Sequence, residues 1–139
     1  MERVTRITKG ENGAAAVEFA LIAPLLFMLI FGIVNFGLAW SQKEVYIQAA
    51  REGARFAAVG CESACNAGDV QDRVEAAAVG YQITGGTAAI AVTPSPGCSS
   101  SDSSDTVTVG WDQQFSIDIP FIAPVNPTAH IEAVFRCEI

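Results

Sequence analysis

The chain has 139 residues, 8 Lys+Arg against 15 Asp+Glu, and a formal net charge of −7; half of its residues are hydrophobic. That length holds one domain, or a small domain with an attached segment, and is too short for a large two-domain enzyme. The acidity argues against general nucleic-acid binding, and the apolar fraction argues against a disordered chain.

The charge is unevenly placed. Residues 1–55 hold six basic groups and five acidic ones, whereas residues 56–139 hold two and ten, so the acidity belongs to the C-terminal part. The apolar residues are segregated as well. Phe19 to Trp40 is a run of 22 residues with no charge, in which Asn35 is the one strongly polar side chain. As a helix this run is about 33 Å long, enough to cross a hydrocarbon core of about 30 Å. It reads as a single membrane span.

The flanks set the orientation. The leading segment MERVTRITKGENG carries three basic residues, but Lys43, Arg51 and Arg55 follow the span, so the positive-inside count is nearly balanced. A short leader is easier to keep in the cytoplasm than to translocate, which puts the acidic remainder outside. The expected location is the cytoplasmic membrane, N-terminus inside and head outside. Cys61, Cys65, Cys98 and Cys137 then meet an oxidising compartment, where an even count points to two disulfides.

Three readings compete for this N-terminus. A cleaved signal peptide has a shorter apolar region, and Glu18 at its start does not suit one. A plain uncleaved anchor explains everything except Glu18. An acid at the edge of a membrane core is costly enough to suggest a task. The third reading comes from spacing: Gly13 is followed by Ala14-Ala15-Ala16-Val17 and then Glu18-Phe19. This resembles a prepilin peptidase site, with a short charged leader ending in Gly and a Glu at the fifth mature position before an aromatic. Cleavage between Gly13 and Ala14 would remove 13 residues and leave 126.

The resemblance extends over about residues 10–60. GENGAAAVEFALIAPLL, with Pro24 early in the helix, followed by Ala49-Ala50-Arg51-Glu52-Gly53-Ala54-Arg55, is similar to the TadE-like family. These are pseudopilins, or minor pilins, of tight-adherence (Flp) pilus assembly systems. The resemblance implies a role in secretion-coupled pilus biogenesis, with a cell-surface pilus as a further location. It also implies the partners: the membrane, other pilin and pseudopilin subunits, a prepilin peptidase and the pilus assembly platform. In pilin-like families Glu18 would pair with the new α-amino group of a neighbouring subunit, with Phe19 beside it in the assembly segment. Two rivals stay open: an assembly factor that is never extracted from the membrane, and a surface adhesin or binding module whose head does the work.

One helix is expected from about Ala15 to Val59, roughly 65 Å long, with a kink near Pro24 because proline removes a backbone donor and clashes one turn back. Ala49, Gly53 and Ala57 recur every four residues, as do Ala50, Ala54 and Ala58, while Val45, Phe56 and Val59 supply bulk nearby. Such stripes admit a close backbone. They serve either the chain's own sheet or a neighbouring subunit; the first is preferred, since a small head must cover its sheet. Arg51 and Arg55 then project to solvent or meet acids of the head.

Beyond Gly60 the expected head is α+β and pilin-like. Asn66 or Asp69 caps a short second helix running to about Val79, and Thr84-Gly85-Gly86 breaks it. Strand-like runs follow at 88–93, 106–111, 115–119 and 131–136, giving a three- or four-stranded antiparallel sheet. The boundaries are therefore a leader over 1–13, the membrane-spanning and extended helix over 14–59, and an extracytoplasmic head over 60–139. Residues 94–105 read as a polar surface loop whose Asp102 and Asp105 do not match calcium-loop spacing. PFIAPVNP (120–127) is an apolar loop that either marks a contact or tucks Phe121 and Ile122 under the head.

The preferred disulfides are Cys61–Cys65, closing a turn, and Cys98–Cys137, tying the loop to the last strand; crossed pairings stay open. No metal site is expected, because Cys61 and Cys65 lack two further close ligands and His130 is the only histidine. There is no phosphate-cradling loop, no C-x-x-C and no nucleophile–base pair, so neither a cofactor nor enzymatic activity is expected.

Overall fold

A computed structural model describes residues 11–59, 65–98, 106–120 and 122–137. Most of the leader, Cys61, Phe121 and the acids Asp102 and Asp105 lie outside the described residues.

The first helix, α1, is Glu11–Val59, 49 residues and about 73 Å long. It starts four residues earlier than the sequence suggests and carries Pro24 inside without a break in the helix. The second helix, α2, is Ala67–Ala77. Its start is a reciprocal cap that uses both expected residues: Asp69 N–H donates to Asn66 Oδ1 (3.2 Å) and Asn66 N–H donates to Asp69 Oδ2 (2.9 Å). It ends two residues short of Val79. Gly85 and Gly86 then turn the chain at positive φ, 83° and 71°, which a side chain would resist.

Three strands form the sheet in the order β1-β2-β3, all antiparallel: β1 Ala91–Thr93, β2 Thr106–Gln114 and β3 Thr128–Arg136. Two expectations change here. The run at 88–93 splits into a 3-10 turn, Thr87–Ala89, and a three-residue strand. The run at 115–119 is not a separate strand; it continues β2 as far as a single bridge, Ile117 to Val125.

Both helices lie on one face of the sheet. β2 buries Val107, Val109, Trp111 and Gln113 and leaves Thr106, Asp112 and Gln114 exposed, the period-2 pattern of a strand with one wet face. Ile131 and Ala133 of β3, Ile90, Val92, and Val70 and Val74 of α2 complete the core with the alanines of α1.

α1 enters the head at Tyr46. Its ring meets Trp111 (6.2 Å, edge-on), Phe115 (5.9 Å) and Tyr81 (6.1 Å), and its hydroxyl donates to Gln82 O (2.8 Å). Beneath it, the buried Gln113 accepts from Trp111 Nε1 (3.1 Å) and Thr84 N–H (3.0 Å) through one oxygen. Its amide donates to Gln114 O (3.1 Å). A polar side chain in this core is therefore fully engaged, as burial demands.

At the other end of the head, Cys98 N–H donates to Ala57 O (3.1 Å), satisfying one of the carbonyls that a helix C-terminus leaves open. A Cβ on Gly97 would lie 2.5 Å from that same oxygen, so glycine is required for the approach. Cys98 is bonded to Cys137, with 5.6 Å between Cα atoms. The bridge fastens the end of β3 to the loop that caps α1.

Candidate functional site

The residues singled out in the sequence fall into two groups on one helix. Ala49, Gly53 and Ala57, with Ala50, Ala54 and Ala58, are buried against the chain's own head. Gly53 abuts Val74 of α2 and Val109 of β2 so closely that a Cβ there would collide with the Val74 side chain. Small residues at four-residue spacing are what allow α1 to lie against both α2 and the sheet. Of the two partners the stripe could serve, it serves the intramolecular one.

The opposite face of this half is polar: Glu44, Gln48, Arg51 and Arg55 stand exposed. Arg55 lies 4.0 Å from Glu52 on its own helix, and Glu52 also takes Arg73 of α2 at 2.6 Å. Sequence reasoning misses this α1–α2 bridge. Glu52 and Arg55 are three apart and read as a local helix-surface pair, and no sequence pattern points from Glu52 to Arg73.

The other group is at the N-terminal end. Gly13, Ala14, Glu18 and Phe19 are all exposed, within the first turns of α1. Gly13 and Ala14 fall inside the first turn, whose N–H groups have no intrahelical acceptor, so opening that turn costs little. Ala14 and Glu18 are four residues apart and share a face. From Ala14 to Trp40 Glu18 is the one charged side chain, and it makes no hydrogen bond or ion pair among the described residues. Asn35, by contrast, is satisfied within the helix by donating to Phe31 O at 2.9 Å.

From Phe19 to Trp40 the large side chains, among them Leu21, Leu25, Ile33 and Phe36, are exposed all round, with Phe27–Phe31 and Phe36–Trp40 ring contacts along the surface. This stretch is long and apolar enough to cross a membrane, and none of the described residues of the head buries it. Lys43 lies over the Trp40 ring at 5.4 Å, an aromatic–basic pair suited to the boundary between lipid and water.

Of the four cysteines, Cys98 and Cys137 form the expected bridge, and Cys65 is also disulfide-bonded. Its expected partner, Cys61, lies outside the described residues. His130 is on the exposed face of β3, with Nδ1 2.8 Å from Asp112 Oδ1 and Nε2 3.6 Å from Glu132 Oε2.

No curated protein and no solved structure matches the chain. Residues 13–55 match the family model described as TadE-like protein. That stretch runs from the glycine of the prepilin-like site, through the exposed apolar helix, to the buried alanine stripe and the Arg51–Arg55 run. Over this segment the chain is similar to the TadE-like protein family.

Proposed function

We propose that the chain is a membrane-anchored pseudopilin that acts in assembly of a tight-adherence pilus, with its head outside and residues 1–13 removed by a prepilin peptidase. The observation that carries this reading is the division of labour along α1. The small-residue stripe at 49–58 is consumed by the head, so helix-to-helix contacts with other subunits fall to the exposed residues 14–45. Glu18 is the only charge in the apolar part of that surface.

Cleavage after Gly13 would create an ammonium group at Ala14, one turn from Glu18. A carboxylate and an ammonium that enter an apolar helix bundle are each expensive alone and recover much of the cost as a pair. Glu18 then sets the axial register of one subunit against the amino terminus of the next. The role is structural, and the chain acts through contacts with pilin subunits and the assembly platform.

Replacing Glu18 with Ala tests the reading. Surface pili should be lost while the protein stays in the membrane fraction with the Cys98–Cys137 bridge formed. Normal pili from the Glu18→Ala strain would defeat it. Mass spectrometry of the membrane-extracted chain should find the 126-residue form beginning at Ala14; an intact Met1 terminus rejects the cleavage.

A further inference from the structure

α1 and β2 run in opposite directions. Gly53 lies beside Val109, whereas Tyr46, seven residues nearer the span, touches Trp111 and Phe115. α2 also runs back toward the span, from Val74 beside Gly53 to the turn where Tyr81 meets Tyr46. The turn after α2 and the chain after Phe115 therefore both lie at the span end of the head. The Cys98–Cys137 bridge and Ala57 mark the far end.

The β2–β3 pairing does not stop with the sheet. Phe115 N–H donates to Pro127 O (2.9 Å), and Ile117 and Val125 exchange both backbone bonds (3.0 and 3.1 Å) in the register that pairs Gln114 with Thr128. A two-stranded ribbon thus continues past the sheet toward the span. Its tip is a turn in which Ile122 N–H donates to Ile119 O (3.1 Å), with Pro120 in the second position, where its fixed φ is favoured.

The described residues of this ribbon are mostly apolar and none of them is buried beyond Phe115. Ile122 is 47% exposed and Val125 53%, with Asp118 the only charged residue between 115 and 127. At the same end Val79 is 77% exposed and Tyr81 37%. Along α1, Tyr46 and Trp40 are separated by about 9 Å of helix rise. From Phe115 to Pro120, extended chain supplies about 16 Å. The tip has the reach to arrive at the level of Trp40 and Lys43.

We propose that the ribbon formed by residues 117–120 and 122–125, flanked by Val79 and Tyr81, enters the interfacial layer of the bilayer that α1 spans and acts as a second apolar foot for the head. This rests on the reading of α1 as a membrane span. The attraction is hydrophobic: Asp118 and the acidic head offer nothing to anionic lipid, so a neutral phosphatidylcholine surface suffices. The foot fixes the tilt of the head over the membrane before assembly, and pulling the subunit out must lift it.

The test uses the full chain, one copy per phosphatidylcholine nanodisc, with brominated acyl chains as quenchers. In the parent chain Trp40 should be quenched. In a Trp40→Phe background only the buried Trp111 emits. Adding Ile122→Trp there should restore a quenched signal comparable to that of Trp40, and Val125→Trp should do the same. Retention of the Cys98–Cys137 bridge on non-reducing gels confirms the fold of each variant. If Trp40 is quenched and neither introduced tryptophan is, the head stands clear of the lipid, or the ribbon serves another subunit, and the proposal is overturned. If Trp40 itself escapes quenching, the span and the foot fall together.

Discussion

Residues 19–40 and 46–58 belong to one uninterrupted helix, yet they are written in different apolar alphabets. The first uses Phe, Leu, Ile and Trp, and these side chains stand exposed; the second uses Ala and Gly, and these are buried. Large side chains suit lipid because they fill it without needing a fixed partner. Small ones suit a contact in which two backbones must approach and every methylene has to be placed. Side-chain bulk taken alone would assign the first half to the core and the second to the surface, the reverse of what the fold does with them.

Glycine gives the strongest way to break that comparison. Gly53 is packed against Val74 and Val109, whereas a Cβ at Gly32 or Gly37 would meet nothing within 4 Å. Gly53→Leu should therefore disrupt the head, at a cost of about 3 kcal/mol or more. Gly37→Leu should leave it untouched and favour the helix slightly. Thermal unfolding of the full chain in detergent, followed by protease sensitivity of the head, distinguishes the two; equal behaviour would mean that the stripe at 49–57 does not hold the head.

Much of this is legible in the sequence because it is local. The uncharged run 19–40, the Asn66–Asp69 cap and the alternation of 106–111 and 131–136 each follow from a short window and a single physical requirement. Gly13, Glu18 and the alanine stripe stand out by spacing. The stripe's partner cannot be read that way, since small residues admit any backbone and Val74 and Val109 are brought to Gly53 only by the fold. The ribbon is obscured for a related reason. Phe115, Ile117 and Ile119 alternate as a strand should, but alternation does not say whether a segment adds a strand or prolongs one. That depends on register with Val125 and Pro127, across a turn.

Next in size is the far end of the head. Reducing Cys98–Cys137, which closes a loop across a sequence separation of 39, should cost about 2–4 kcal/mol. The bridge holds the end of β3 against the loop that caps α1, so fraying should begin there. Amide exchange should quicken in 133–136 and at Cys98 upon reduction, while 46–50 change little. Uniform loss of protection along the head would show that the two ends are not separable.

Inside the head, Gln113→Leu should cost about 1–3 kcal/mol. The substitution keeps the volume but leaves Trp111 Nε1 and Thr84 N–H without the oxygen they share. Because Trp111 packs on Tyr46, the loss should also loosen the point where α1 enters the head, and tryptophan emission should shift as its N–H loses its partner. A variant as stable as the parent would show that this polar network is dispensable.

The smallest effect separates the helix's structural face from its wet one. Glu52 holds Arg73 across the α1–α2 contact, but both side chains are substantially exposed, so Glu52→Gln should cost only about 0.2–1 kcal/mol and less in high salt. Among the described residues, the adjoining Arg51 and Arg55 have no buried partner to lose. If Glu52→Gln proves as damaging as Gly53→Leu, the α1–α2 contact depends on charge and not on close packing. If it is mild, as expected, then the Arg51–Arg55 run is free on its polar face to meet whatever acidic surface a neighbouring subunit presents, without disturbing the fold that carries it.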